Sequence, residues 1–128
     1  MQNQVNFFQA LLLVFFGGGI GSVCRFLVSR YTAQIIELGK FPLSTFIANI
    51  LGSFLIGFLM AKLTDEPNHP LKFLLMVGFC GGFTTFSTFS IENYNLWISQ
   101  HYSVLFFNIF LSLFLGISAV FLGFLVGR

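Results

Sequence analysis

A chain of 128 residues with 56% apolar and 8% charged side chains cannot fold as a water-soluble globule, because six basic and four acidic residues cannot cover its surface. The low charge and a mean hydropathy of +0.90 also exclude intrinsic disorder. What remains is one small all-α integral membrane domain over residues 1–128, with a net charge of +2 and no room for a second, soluble domain.

Four uncharged runs follow one another: Val5 to Cys24 (20 residues), Phe41 to Ala61 (21), Phe73 to Ile91 (19) and Ser103 to Gly127 (25). A bilayer takes about 20 apolar residues per helical span. Each run is therefore expected to be one transmembrane helix. With their flanks the spans fall near residues 5–30, 41–62, 73–98 and 103–127, and the fourth is long enough to tilt. The first is expected to be a span and not a removable leader, since residues 1–4 hold no Lys or Arg and no small-residue cleavage site follows a short apolar core. The connections are short. Residues 31–40 hold Glu37 and Lys40, residues 62–72 hold Lys62, Asp65, Glu66, Pro67, Pro70 and Lys72, and a tight turn is expected at 99–102.

Polar residues within spans are informative because lipid offers them no partner. In the first span Gly18, Ser22, Arg25 and Ser29 share one helical face. In the second, Asn49, Ser53 and Gly57 do so, and in the fourth Asn108, Ser112 and Gly116 repeat the spacing. Glycine and serine at that spacing let helices approach closely. Asn49 and Asn108 need more than packing, since a primary amide brings two donors to membrane depth.

The third run carries Gly81-Gly82-Phe83-Thr84-Thr85-Phe86-Ser87-Thr88-Phe89-Ser90. Each glycine weakens a helix by roughly 1 kcal/mol, and the Thr hydroxyls can replace backbone partners. A helix broken in mid-membrane is expected here, its bare carbonyls and amides tolerated only beside a cavity or inside protein. Such breaks supply ion ligands in transporters. Phe83, Phe86 and Phe89 recur through it, and the C–H edge of a phenyl ring is weakly positive toward an anion. Cys24 and Cys80 read as small packing side chains. His69 lies in a loop and His101 at a membrane edge, without a metal-ligand cluster, nucleophile triad or phosphate loop. The chain is not expected to be an enzyme or to bind nucleic acid.

Three motifs then stand in order: Gly-Gly-Gly-Ile-Gly-Ser-Val-Cys-Arg at 17–25, Asn-Ile-Leu-Gly-Ser-Phe-Leu-Ile-Gly at 49–57, and Gly-Gly-Phe-Thr-Thr-Phe-Ser-Thr-Phe-Ser at 81–90. Together they resemble the Fluc (CrcB) fluoride channels over the whole chain. The resemblance implies a passive fluoride exporter of the cell inner (plasma) membrane, protecting a microbe from fluoride. It implies an antiparallel, dual-topology homodimer with two pores in membrane lipid. Phe86 and Phe89 match the pore phenylalanines, Asn49 the pore asparagine, and Arg25 the vestibule arginine. Gly81 and Thr84 match positions whose backbone carbonyls bind a structural Na+ at the dimer interface. Ser112 matches a polar-track residue, with Asn108 one turn before it where many members have Tyr. Thr85 joins the pore set as a hydroxyl of the break.

The residues fit that chemistry. Fluoride is small and strongly hydrated, so a pore must replace its water with donors. The Asn49 amide, Thr and Ser hydroxyls and Phe edges qualify, and Arg25 can raise the local anion concentration. Glu92 just past the third run is left between a basic partner and water. A small proton-coupled four-span exporter is the first rival, but it needs a carboxylate at membrane depth, and Glu37, Asp65, Glu66 and Glu92 all lie outside the runs. A non-transporting assembly subunit is the second, and it would not require Asn49 or the Gly-Gly-Phe-Thr-Thr-Phe break. Orientation follows the Lys/Arg count of short loops. Lys62, Lys72 and Arg128 face Arg25, Arg30 and Lys40, so the bias is near zero and insertion in both orientations is expected.

Overall fold

In lipid a backbone must satisfy its own N–H and C=O groups, and a single chain does so as helices. The computed structural model describes residues 4–35 and 39–128, with Glu37 outside the described residues. Among the described residues there are helices and no strands: α1 (Phe7–Ile35), α2 (Leu43–Leu63), a π-helix (Lys72–Cys80) running into the short α3 (Gly81–Phe83), α4 (Phe86–Ile98) and α5 (Tyr102–Gly127). Four segments are long and apolar enough to cross a membrane: Phe7–Ile35, Leu43–Leu63, Lys72–Ile98 and Tyr102–Gly127.

The ends follow local chemistry. Asn6 and Gln9 cap α1 reciprocally: the Gln9 N–H donates to Asn6 Oδ1 at 2.8 Å and the Asn6 N–H to Gln9 Oε1 at 3.1 Å. At the end of α4 the chain turns through Gln100, left-handed at φ 62°. The His101 N–H then reaches the Leu96 carbonyl at 2.9 Å and the Gln100 N–H the Trp97 carbonyl at 3.1 Å, a Schellman closure with Gln where Gly is usual.

Close approach of backbones sets the packing. A Cβ on Gly57 would run into the Val120 carbonyl, and one on Gly123 into the Phe54 carbonyl, so α2 and α5 lie backbone to backbone. Gly17 and Gly21 meet the Leu74 and Phe79 carbonyls in the same way, seating α1 on the π-helix. The order of the contacts gives the directions. Gly17, Gly21 and Arg25 meet Leu74, Phe79 and Gly82 in rising order, and Ser53, Gly57 and Phe58 meet Gly116, Val120 and Gly127. Both pairs are therefore parallel. Thr45 meets Glu92 while Asn49 meets Thr85, so α2 runs against the third segment, and Asn93 to Asn108 sets α4 against α5.

Size is sorted inversely to a soluble protein. Ala48, Cys80, Ala119 and Gly52 are buried between helices, whereas Phe7, Phe15, Phe106, Phe114 and Phe121 stand outward. Without water, small interior residues that bring backbones together do more than large ones. Gly57→Ala is expected to lower stability in detergent by about 2 kcal/mol or more, because the methyl has only backbone to displace. Gly19→Ala, with open space around its Cβ, is expected to be neutral or slightly stabilising. Circular-dichroism melting of both variants in one detergent checks the contrast.

Candidate functional site

The feature that organises the site is an interruption of the third segment. After Gly81 and Gly82 the helix stops at Phe83. Thr84 (φ −84°, ψ 154°) and Thr85 (φ −148°, ψ 125°) are extended, and helix resumes at Phe86. The threonines close the two ends. Thr84 Oγ1 donates back to the Cys80 carbonyl at 2.8 Å, while Thr85 Oγ1 caps α4 by accepting the Thr88 N–H at 3.2 Å.

Neighbouring helices satisfy most of what the interruption frees. From α2, Asn49 Nδ2 donates to the Thr85 carbonyl at 3.2 Å and Asn49 Oδ1 accepts the Thr85 N–H at 2.8 Å. One side-chain amide thus pairs with an extended residue as a β-strand neighbour would. From α1, Arg25 Nε donates to the Gly82 carbonyl at 3.1 Å. Among the described residues three carbonyls are left over, those of Gly81, Phe83 and Thr84, and of these Gly81 and Thr84 line a cavity. The N–H groups that would serve Gly81 and Thr84 in a continuous helix are those of Thr85 and Thr88, and these go to Asn49 and to Thr85 Oγ1. Among the described residues nothing donates to the Gly81 or Thr84 carbonyl.

Asn49, Gly81, Thr84 and Thr85 line one open cavity of about 370 Å³, together with Phe86, Phe89 and Ser112. Phe86 and Phe89 lie 6.1 Å apart between ring centroids, with their planes tilted by 43°. Phe83 leaves the stripe: it is buried and stacks on Phe79. Among the described residues no Asp, Glu, His, Lys or Arg lines the cavity. Its walls offer amide, hydroxyl, carbonyl and ring edge, which suits binding and passage of an ion and not acid–base chemistry.

Arg25 and Asn108 are not among the lining residues. Arg25 stands behind the interruption, on the Gly82 carbonyl. Asn108 is 1% exposed; its Nδ2 donates to Asn93 Oδ1 at 2.8 Å and its Oδ1 accepts the Ser112 hydroxyl at 3.3 Å. Glu92 has neither of the surroundings considered from sequence. It lies inside α4 and accepts the Thr45 hydroxyl on Oε1 at 2.6 Å, with Oε2 buried and unpartnered.

This arrangement can be set beside known proteins. Residues 12–124 match the family described as CrcB-like protein, Camphor Resistance (CrcB). The chain belongs to that family. A relative named fluoride-specific ion channel FluC from Azobacteroides pseudotrichonymphae is 42% identical over 92% of this chain and 95% of its own. One of the same name from Leptospira interrogans is 45% identical over 93% and 94%. Another from Coxiella burnetii is 43% identical over 92% and 97%. Family membership and the four apolar segments make this CrcB-family chain a multi-pass membrane protein.

The sequence did not mark Gly52, Ile56, Met76, Cys80 and Leu113 as lining residues of the CrcB-family cavity, and it placed Ser53 on the Asn49 face without assigning it to the pore. Ser53 carried a signal, standing one turn after Asn49 on the same face. Cys80 and Met76 carried none, because an apolar wall looks like core in a sequence. Removing the Asn49 amide should expose the interruption. In Asn49→Ala the Thr85 N–H is expected to exchange about 10–100-fold faster, the equivalent of about 1–3 kcal/mol. Hydrogen–deuterium exchange of the detergent-solubilised protein reads this at that residue.

Proposed function

We propose that this CrcB-family chain is a fluoride channel, not an enzyme, which lets fluoride leave the cell passively across the inner (plasma) membrane and so protects against its toxicity. The observation that carries the reading is the name, fluoride-specific ion channel, of relatives 42–45% identical over nearly the whole chain. The cavity supports it chemically. Fluoride must exchange water for donors, and the Asn49 amide and the edges of Phe86 and Phe89 offer weak, unchargeable ones. Thr85 and Ser112 complete the proposed pore lining, with Asn108 behind Ser112. Arg25 adds a positive field at the vestibule. A proton-coupled exporter would use a carboxylate in the pathway, and the lining has none.

The working form is an antiparallel homodimer. Phe86 is 80% exposed in one copy, beside the bare Gly81 and Thr84 carbonyls. Lipid cannot cover an interrupted backbone, so the interruption belongs in mid-membrane against a second, inverted copy, which gives two equivalent pores. Acyl chains then meet the outward Phe faces of α1 and α5. The two carbonyls fit a hard cation such as Na+, which takes oxygen ligands. Gly81 and Thr84 of each copy would hold it at the twofold axis. A cation held there supplies fixed positive charge that offsets repulsion between anions.

The deciding experiment is fluoride efflux from liposomes, read with a fluoride electrode and started by a K+ ionophore. Passive release without a pH gradient is expected. Release only with a pH gradient would point to the exporter, and no release to the assembly subunit. Phe86→Ile keeps the volume and removes the ring edge, so flux is expected to fall by about tenfold or more with the dimer intact. Equal flux would mean the ring only fills space.

Dual topology follows from the same charge count. Arg25 is turned onto Gly82, which leaves Arg30 and Lys40 against Lys62, Lys72 and Arg128. With so small a bias, about half of the copies are expected to expose the 62–72 loop to the outside. Single cysteines there, in a background without Cys24 and Cys80, are labelled in intact cells with an impermeant maleimide. Labelling of nearly all or nearly none would remove the antiparallel dimer.

A further inference from the structure

The cavity has several hydroxyls, but a hydroxyl has one proton. Fluoride only accepts hydrogen bonds, so the destination of each proton decides which groups can hold it. Thr84 Oγ1 gives its proton to the Cys80 carbonyl, and Thr85 Oγ1 gives its own to Thr88 Oγ1 at 3.2 Å. Ser112, whose position on the α5 face marks it as a pore hydroxyl, donates to Asn108 Oδ1. None of the three has a hydroxyl proton left for an anion. Asn49 has spent one amide N–H on the Thr85 carbonyl and keeps the other.

Ser53 differs from all of them. It lines the same cavity one turn beyond Asn49, and no hydrogen bond engages its hydroxyl among the described residues. Helical serines and threonines usually donate to the carbonyl four residues back. Thr64, Thr84, Ser90 and Ser99 do so here, to Met60, Cys80, Phe86 and Asn95. Ser53 makes no such bond to Asn49. Across from it stands Gly116, where a Cβ would be in ordinary van der Waals contact with Ser53 Oγ at 3.8 Å, so nothing crowds the hydroxyl from that side.

We infer that Ser53 is the hydroxyl donor to fluoride in this cavity, paired with the free N–H of Asn49, and that Ser112 lines the path without donating to the ion. The inference rests on the fluoride-channel reading and assigns a donor within it. The test is liposome fluoride efflux by the full-length protein and its variants, each checked for unchanged elution on size exclusion. Ser53→Ala is expected to cut flux by about tenfold or more, the scale for losing one hydrogen bond to a charged group. Ser53→Thr and Ser53→Val have the same shape and differ in one hydroxyl. Thr is expected to stay within about threefold of wild type and Val to fall with Ala. Ser112→Ala also alters the pore lining but removes no donor to the ion, so it is expected to lose clearly less flux than Ser53→Ala. Wild-type flux in Ser53→Val, equal loss in Thr and Val, or a loss in Ser112→Ala as deep as in Ser53→Ala would each overturn the assignment while leaving the channel reading intact. If the unmodified protein passes no fluoride, the channel reading falls and takes the assignment with it.

Discussion

The structure depends on how a membrane protein accounts for a backbone that leaves the helix. Two extended residues, Thr84 and Thr85, free several amides and carbonyls where no water can take them. Several are answered, from different directions: by Asn49 from α2, by Arg25 from α1, and by the threonine hydroxyls from within the segment. The polar face of each neighbouring helix is thereby explained as much by structure as by the ion. Of the carbonyls that remain without donors among the described residues, those of Gly81 and Thr84 border the cavity.

This gives Asn49 two tasks. Its amide fixes the geometry of Thr85, and one N–H remains on a residue that lines the cavity. A group already held by two hydrogen bonds loses little freedom when it meets an ion, which is the meaning of preorganisation for so small a ligand. Arg25 is tied in a similar way. Its Nε is engaged with Gly82, so the charge is held at the level of the interruption and not at the end of a mobile side chain.

Much of this was legible in the sequence, for identifiable reasons. Apolar runs of span length are demanded by the bilayer, and Gly81-Gly82 followed by paired threonines carries its own helix-breaking chemistry. Asn49 stood out because an amide has no cheap place in lipid. The π-helix over Lys72–Cys80 was not legible, since Lys-Phe-Leu-Leu-Met-Val-Gly-Phe-Cys has no composition that separates a π from an α turn. The surroundings of Glu92 were hidden as well. An uncharged run ends by definition at its first charge, whereas α4 continues through Glu92 to Ile98, and Thr45 on α2 meets the carboxylate. The burial of Asn108 depends on Asn93, fifteen positions away and on another helix. Spacing within one helix cannot disclose such a pairing.

The interleaved pairing of the helices bears on how the chain assembles as it is made. The backbone-to-backbone seams join α1 to the π-helix and α2 to α5, never one span to the next. An early pair of spans therefore leaves the bilayer-insertion machinery with its glycine faces bare, and the seam on α2 closes only when the last span arrives. Assembly of this small protein is then governed by its longest-range contacts, like that of a non-local β-fold in water. A chain interrupted before α5 would present the Gly57 face of α2 to lipid, a mark that distinguishes an unfinished copy from a finished one.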